Sequence, residues 1–136
     1  MSEILEIKLP SRIASIEKAA DDVSDFARSR GLDDETVYAI DMAVRESVAN
    51  AVKHGNKLDE SKSVEIRSAD SADGFEVTVR DFGEGFDVAD VPDPTDPEHL
   101  LKTDGRGILF MRSFMDEVEW SNAEGGGLMV RMLKKR

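Results

Sequence analysis

Apolar Leu5, Ile7 and Leu9 alternate with Glu6 and Lys8, the period-two pattern of a strand with one buried face, and Pro10 closes it. From Ser11 the period lengthens. Ile16, Ala19, Ala20, Val23 and Phe26 keep helical spacing, and Gly31 stands where a glycine ends a helix. Asp33 or Asp34 can cap a second helix, whose positive N-terminal end suits Glu35. This helix carries two apolar stripes. One runs through Val37, Ile40, Val44, Val48 and Ala51; the other through Ala39, Met42 and Ala43, continuing as Glu46, Asn50, Lys53 and His54. A helix apolar on two sides is packed between neighbours, so Glu46 and Asn50, about 6 Å apart along the axis, extend a half-buried row. A carboxylate and an amide there cost free energy unless a partner compensates them. The helix is expected to stop near Gly55.

Lys57 to Ser63 is a polar connection. Val64 and Ile66 begin a strand, Ala69 to Gly74 reads as turn, and Phe75, Val77 and Val79 alternate with Glu76, Thr78 and Arg80 as the returning arm of a hairpin. Asp81 to Gly85 is a glycine-bearing turn. The stretch from Asp87 to Asp104, with Pro92, Pro94 and Pro97, lacks periodicity and has a length at which loops often serve as lids. Gly105-Arg106-Gly107 precedes a helical run from Ile108 to Met115. Val118 and Trp120 start a strand, Gly125 to Gly127 turn the chain, and Leu128 to Leu133 form the last strand. Phe110, Met111, Phe114 and Met115 read as core or interface, with Trp120 covering the sheet. The expected fold is α+β, a two-layer sandwich of a mixed, mostly antiparallel sheet with helices on one face, in a single domain spanning residues 1–136.

The bulk numbers narrow the chemistry. A net charge of −11 argues against nucleic acid as a partner, because neutralising phosphates needs clustered Lys and Arg. No apolar run approaches the length of a membrane span, and the N-terminus is too polar for a signal peptide, so neither membrane nor export is expected. The absence of cysteine excludes disulfides and thiolate chemistry and fits a reducing, cytoplasmic setting. Two histidines, His54 and His99, are too few for histidine-rich zinc sites. Neither a G-x-x-x-x-G-K-[ST] phosphate loop nor a three-glycine dinucleotide fingerprint is present.

Three boxes remain: Glu46-x-x-x-Asn50 with His54-Gly55-Asn56 behind it, Asp81-x-Gly83-x-Gly85 after a strand, and Gly105-x-Gly107 opening a helix after a long loop. Glycines before a helix N-terminus let backbone N–H groups approach phosphates. An Asn oxygen is a hard ligand suited to Mg²⁺, and a Glu one turn earlier can take a proton from a hydroxyl or water. An Asp at a strand end can accept from the exocyclic amine of adenine, with Gly83 and Gly85 clearing the ring's path. Mg²⁺ also lets an acidic chain hold an anionic nucleotide.

In this order and on these elements, the boxes resemble those of the GHKL ATPases, whose Bergerat ATP-binding fold is shared by gyrase B, MutL and histidine kinases. A bare domain of this length, with Gly105-Arg106-Gly107-Ile108 followed by Met115-Asp116-Glu117-Val118, is most similar to the anti-sigma-factor serine kinases of the RsbW and SpoIIAB type. The resemblance implies a homodimer that binds Mg-ATP, phosphorylates a serine or threonine of a STAS-domain anti-sigma-factor antagonist, and sequesters a sigma factor. It implies Glu46 as general base and Asn50 as Mg²⁺ ligand. Asp81 would read adenine beside Gly83 and Gly85. Gly105, Arg106 and Gly107 would meet the phosphates, with Thr103 joining the ATP contacts from the Asp87–Asp104 lid. Arg106 is the candidate for stabilising charge on the γ-phosphate. Relatives often place a Thr near adenine in the final strand; Leu128 stands there in this chain. The competing readings are a non-catalytic ATP-binding regulatory module of the same fold, a phosphorelay kinase, and plain ATP hydrolysis.

Overall fold

The computed structural model describes residues 3–83, 111–123 and 125–135, with Glu3 by its backbone alone. Strand β1 (Glu3–Pro10) leads into helices α1 (Ala14–Ser29) and α2 (Asp34–Asn50), and a π-helical turn (Ala51–Gly55) prolongs α2. Strands β2 (Ser63–Ser71) and β3 (Gly74–Arg80) follow as a hairpin. Residues 111–114 are helical and are succeeded by β4 (Glu117–Asn122) and β5 (Leu128–Lys135). The part of the expected Ile108–Met115 helix before residue 111 lies outside the described residues. No helix among the described residues is long and apolar enough to cross a membrane.

The sheet runs β1-β2-β3-β5-β4, and all four neighbouring pairs are antiparallel, so the expected mixed character is absent from the described strands. Strand alternation sorts the side chains. Val64 and Ile66 of β2, Phe75, Val77 and Val79 of β3, Val118 of β4, and Val130 and Met132 of β5 share one core with Ala19, Ala20, Val23 and Ala27 of α1 and Val37, Ile40, Val44 and Val48 of α2. Met111 and Met115 join this core, with Phe114 and Trp120 half-buried against it. The opposite face carries cross-strand ion pairs, Arg131 with Glu76 at 2.9 Å and Glu119 at 3.6 Å, and Arg67 with Glu6 at 3.8 Å. Exposed pairs contribute about 0–1 kcal/mol each, so burial on the helix side supports the fold more than these pairs do.

The two stripes read along α2 join through buried Ser47, whose hydroxyl donates back to the Val44 carbonyl at 3.1 Å. The result is one broad buried arc, with half-buried Glu46 and Asn50 at its margin. Strand β2 runs farther than its sequence suggests. Ala69 and Asp70, read as the start of a turn, instead pair with both neighbours. The 4% exposed Asp70 accepts from Arg30 Nε at 3.0 Å, so a polar residue unsuited to a strand interior is compensated by a cation from the end of α1.

Asp33 caps α2, accepting from the Thr36 N–H at 2.8 Å. Hydrogen bonds from Thr36 hold the Asp33 carboxyl below its ordinary value. A carboxylate whose pKa falls on folding adds stability above its unfolded pKa, and that stability is lost as pH drops through the folded value. Asp33→Ala is therefore expected to lower the thermal midpoint at neutral pH. The gap between variant and wild type should close as the scans are repeated at increasingly acid pH.

Candidate functional site

The site begins where α2 departs from regular pitch. After Asn50 the backbone widens, and the Asn56 N–H donates to the Ala51 carbonyl, five residues back, at 2.8 Å. The wide turn carries the Asn56 side chain inward, where it is 1% exposed. Its carboxamide Nδ2 donates to Ser11 Oγ and to the Ser63 carbonyl, and its Oδ1 accepts from the Phe82 N–H at 2.8 Å. One side chain thus ties the end of α2 to the exit of β1, the start of β2 and the turn after β3. Asn56 was visible in the sequence only as part of His54-Gly55-Asn56, because an α-helical period gives no hint of a π turn. His54 is exposed. Asn56→Ala removes the partner of the half-buried Phe82 N–H and Ser63 carbonyl, at about 0.5–1.5 kcal/mol for each lost hydrogen bond. Urea unfolding should show a loss of that size, and amide exchange at Phe82 should quicken.

Asp81 sits where β3 ends, 4% exposed. Its N–H donates to the Leu128 carbonyl at 3.0 Å, and its Oδ1 accepts from the N–H groups of Gly83 at 3.0 Å and Leu128 at 3.1 Å. Leu128 therefore serves this turn through its backbone, which its departure from threonine leaves intact. Two glycines let the turn press on the helix end. A Cβ at Gly55 would stand 2.1 Å from Asp81 Oδ2, and one at Gly83 would stand 1.9 Å from the Gly55 carbonyl oxygen. On the outer side the Arg80 guanidinium lies 4.4 Å from the Phe82 ring centroid and donates to the Gly126 carbonyl at 3.0 Å, bracing the β4–β5 turn.

The structure thus brings the Asp81–Gly83 turn against the helix that bears Glu46 and Asn50. Gly55 and Asn56 are the joint; the sequence alone placed them only at the helix end, behind the first box. Gly85, Thr103, Gly105, Arg106, Gly107 and the Asp87–Asp104 lid, with His99, lie outside the described residues, as does Phe110.

Neither Glu46 nor Asn50 forms a side-chain hydrogen bond to a described residue. Among the described residues no group of three or more His, Asp or Glu could hold a metal ion. That donor set does not suit a metal caged by protein alone. It suits Mg²⁺, which takes one or two protein oxygens and fills its remaining positions with water and phosphate. The carboxamide of Asn50 is such an oxygen.

The model of the histidine kinase-like ATPase domain family matches residues 9–134. The serine-protein kinase RsbW of Oceanobacillus iheyensis is 28% identical, over 97% of this chain and 86% of that protein. RsbW of Bacillus subtilis strain 168 is 30% identical over 91% and 81%, and an anti-sigma F factor of Clostridium perfringens is 35% identical over 74% of each. A crystal structure of the RsbU and RsbW domains of a Mycobacterium tuberculosis protein superposes with a TM-score of 0.66 at 17% identity. It covers 98% of this chain, which spans 32% of the larger one.

Proposed function

The chain belongs to the histidine kinase-like ATPase domain family, alongside serine-protein kinases and anti-sigma factors, and from that premise we propose that it transfers the γ-phosphoryl group of Mg-ATP to a serine or threonine of a STAS-domain anti-sigma-factor antagonist. It also sequesters a sigma factor, acts in the cytoplasm, and works as a homodimer. The observation that carries this reading is the state of Asp81. One carboxylate oxygen is engaged by two backbone N–H groups, while the other, beside Gly55, takes no hydrogen bond from a described residue. That oxygen is left to accept from outside the turn, and the exocyclic amine of adenine is a donor of the right kind.

Each remaining group has one task. Asn50 would hold Mg²⁺ together with the phosphates, and the ion would neutralise charge on the β- and γ-oxygens. Glu46 takes the proton from the acceptor hydroxyl as its oxygen bonds to the γ-phosphorus. The bond from the γ-phosphorus to the bridging oxygen breaks, and ADP leaves with that electron pair. Arg106 stabilises charge spread over the transferring group, and Gly105 and Gly107 admit the phosphates to backbone N–H groups. Gly85 and Thr103 complete the nucleotide contacts.

Incubation with γ-labelled ATP and a STAS-domain protein tests the reading. Label recovered on a serine or threonine of the partner supports it. ATP binding without transfer to any STAS partner would replace it with a non-catalytic regulatory module.

A further inference from the structure

Helix α2 is α-helical from Asp34 to Asn50, so residues four apart stand one turn, about 6 Å, from one another along its axis. Tyr38, Met42, Glu46 and Asn50 form such a row. Asn50, Glu46 and Met42 are half-buried, whereas Tyr38 is 58% exposed. The other exposed large apolar side chains among the described residues are Ile4, Ile13 and Leu58, none of them on α2. Ile13 and Leu58 belong to the far end of that helix, where Ser11 and Arg12 meet Asn56 and Glu60. The Tyr38 ring meets the Phe114 ring edge-on, at 74° and 6.0 Å between centroids. The Phe114 carbonyl accepts from Lys134 Nζ at 3.0 Å, which ties the support beneath Tyr38 to β5. The two rings thus make a fixed aromatic ledge at the N-terminal end of the row.

The row also has a direction. The Asp81 turn presses on Gly55, so the base-reading end of the site lies at the C-terminal end of α2. Asn50 and then Glu46 follow toward the N-terminus. Phosphoryl transfer runs roughly in line, with the attacking and leaving oxygens on opposite sides of the γ-phosphorus. ADP departs on the Asn50 side, so the acceptor arrives from beyond Glu46, over Met42 and Tyr38.

We propose that Tyr38, backed by Phe114 and with Met42 one turn along, seats an apolar side chain of the acceptor protein while the acceptor's serine or threonine lies at Glu46. The inference rests on the kinase reading above and names the part of the substrate which that reading leaves open. Two helical steps of four residues separate Tyr38 from Glu46, about 12 Å along the axis. An extended chain covers that distance in about three or four residues. The occupant is therefore an extended segment with an apolar residue three or four positions from the phosphorylated hydroxyl. The Met42 thioether adapts to such a side chain, and a charged residue in its place would lose water without gaining a partner.

Steady-state transfer from γ-labelled ATP, with a STAS-domain protein titrated as acceptor, gives the test. Tyr38→Ala is expected to raise KM for the acceptor about tenfold, while kcat and the ATP dissociation constant hold. Tyr38→Phe keeps the ring and should return the wild-type KM. A residue that only covers Phe114 would move the thermal midpoint and leave KM alone, so both are measured on each variant. In the acceptor, aspartate in place of the apolar residue three or four positions from the labelled hydroxyl should raise KM for wild type and add little to Tyr38→Ala. Equal KM for wild type and Tyr38→Ala would overturn the proposal. So would a Tyr38→Ala loss confined to self-association in sedimentation, which would put a second copy on the ledge. A wild type that labels no STAS protein would instead remove the kinase reading, and this surface with it.

Discussion

Glu46→Ala is expected to bind Mg-ATP as tightly as wild type while transferring its γ-phosphoryl group about 10²–10⁴-fold more slowly, the usual contribution of a positioned general base. The reason lies in how little else Glu46 does. It is half-buried at the margin of the α2 arc and engages no described neighbour through a side-chain hydrogen bond, so truncation strands no partner. Binding and turnover should therefore separate: calorimetry with a non-hydrolysable ATP analogue returns the wild-type dissociation constant, and single-turnover label transfer reports the slow step. Turnover equal to wild type would remove Glu46 from the chemistry. A parallel fall in affinity would make it a binding residue instead.

Asp81→Asn should do the reverse, folding normally and losing about 10–100-fold in nucleotide affinity, the worth of a hydrogen bond to a charged group. The two oxygens of Asp81 have divided tasks. Oδ1 holds the N–H groups of Gly83 and Leu128, and the amide oxygen of asparagine can keep both. Oδ2, against Gly55, becomes an NH₂ that cannot accept from an adenine amine. Asp81→Ala is the contrast, since it also strands the two N–H groups and should lower the unfolding midpoint. If Asp81→Asn binds ATP as wild type does, adenine recognition lies elsewhere in the pocket. Preference for ATP over GTP, measured on the same variant, is expected to fall along with affinity.

Much of this molecule was legible because its signals are local. The alternation at Leu5, Ile7 and Leu9, the helical spacing from Ile16 to Phe26, the Asp33 cap and the alternation from Phe75 to Val79 each depend on residues a few positions apart, and each produced the element expected. The polar end of β2 was misread for the opposite reason. Asp70 is kept in a strand by Arg30, 40 residues earlier in the chain, and no window along the sequence contains both. The site divides the same way. Glu46, Asn50, Asp81 and Gly83 stood out by residue type and spacing. The contact between Gly55 and the Asp81 turn, and the hub at Asn56, arise only once the strands have brought distant segments together.

The widened turn at Ala51–Gly55 makes the screw phase of α2 a functional quantity. Each residue rotates the chain by about 100°, so insertion of one more residue between 51 and 55, beyond what the wide turn absorbs, would swing the Asn56 carboxamide away from Phe82. Glu46 and Asn50, upstream, would keep their places. The half of the pocket proposed to abstract the proton would then be out of step with the half proposed to read the base, although every side chain named in either half would still be present. Length between the two boxes is thus as much a part of the active design as the residues inside them.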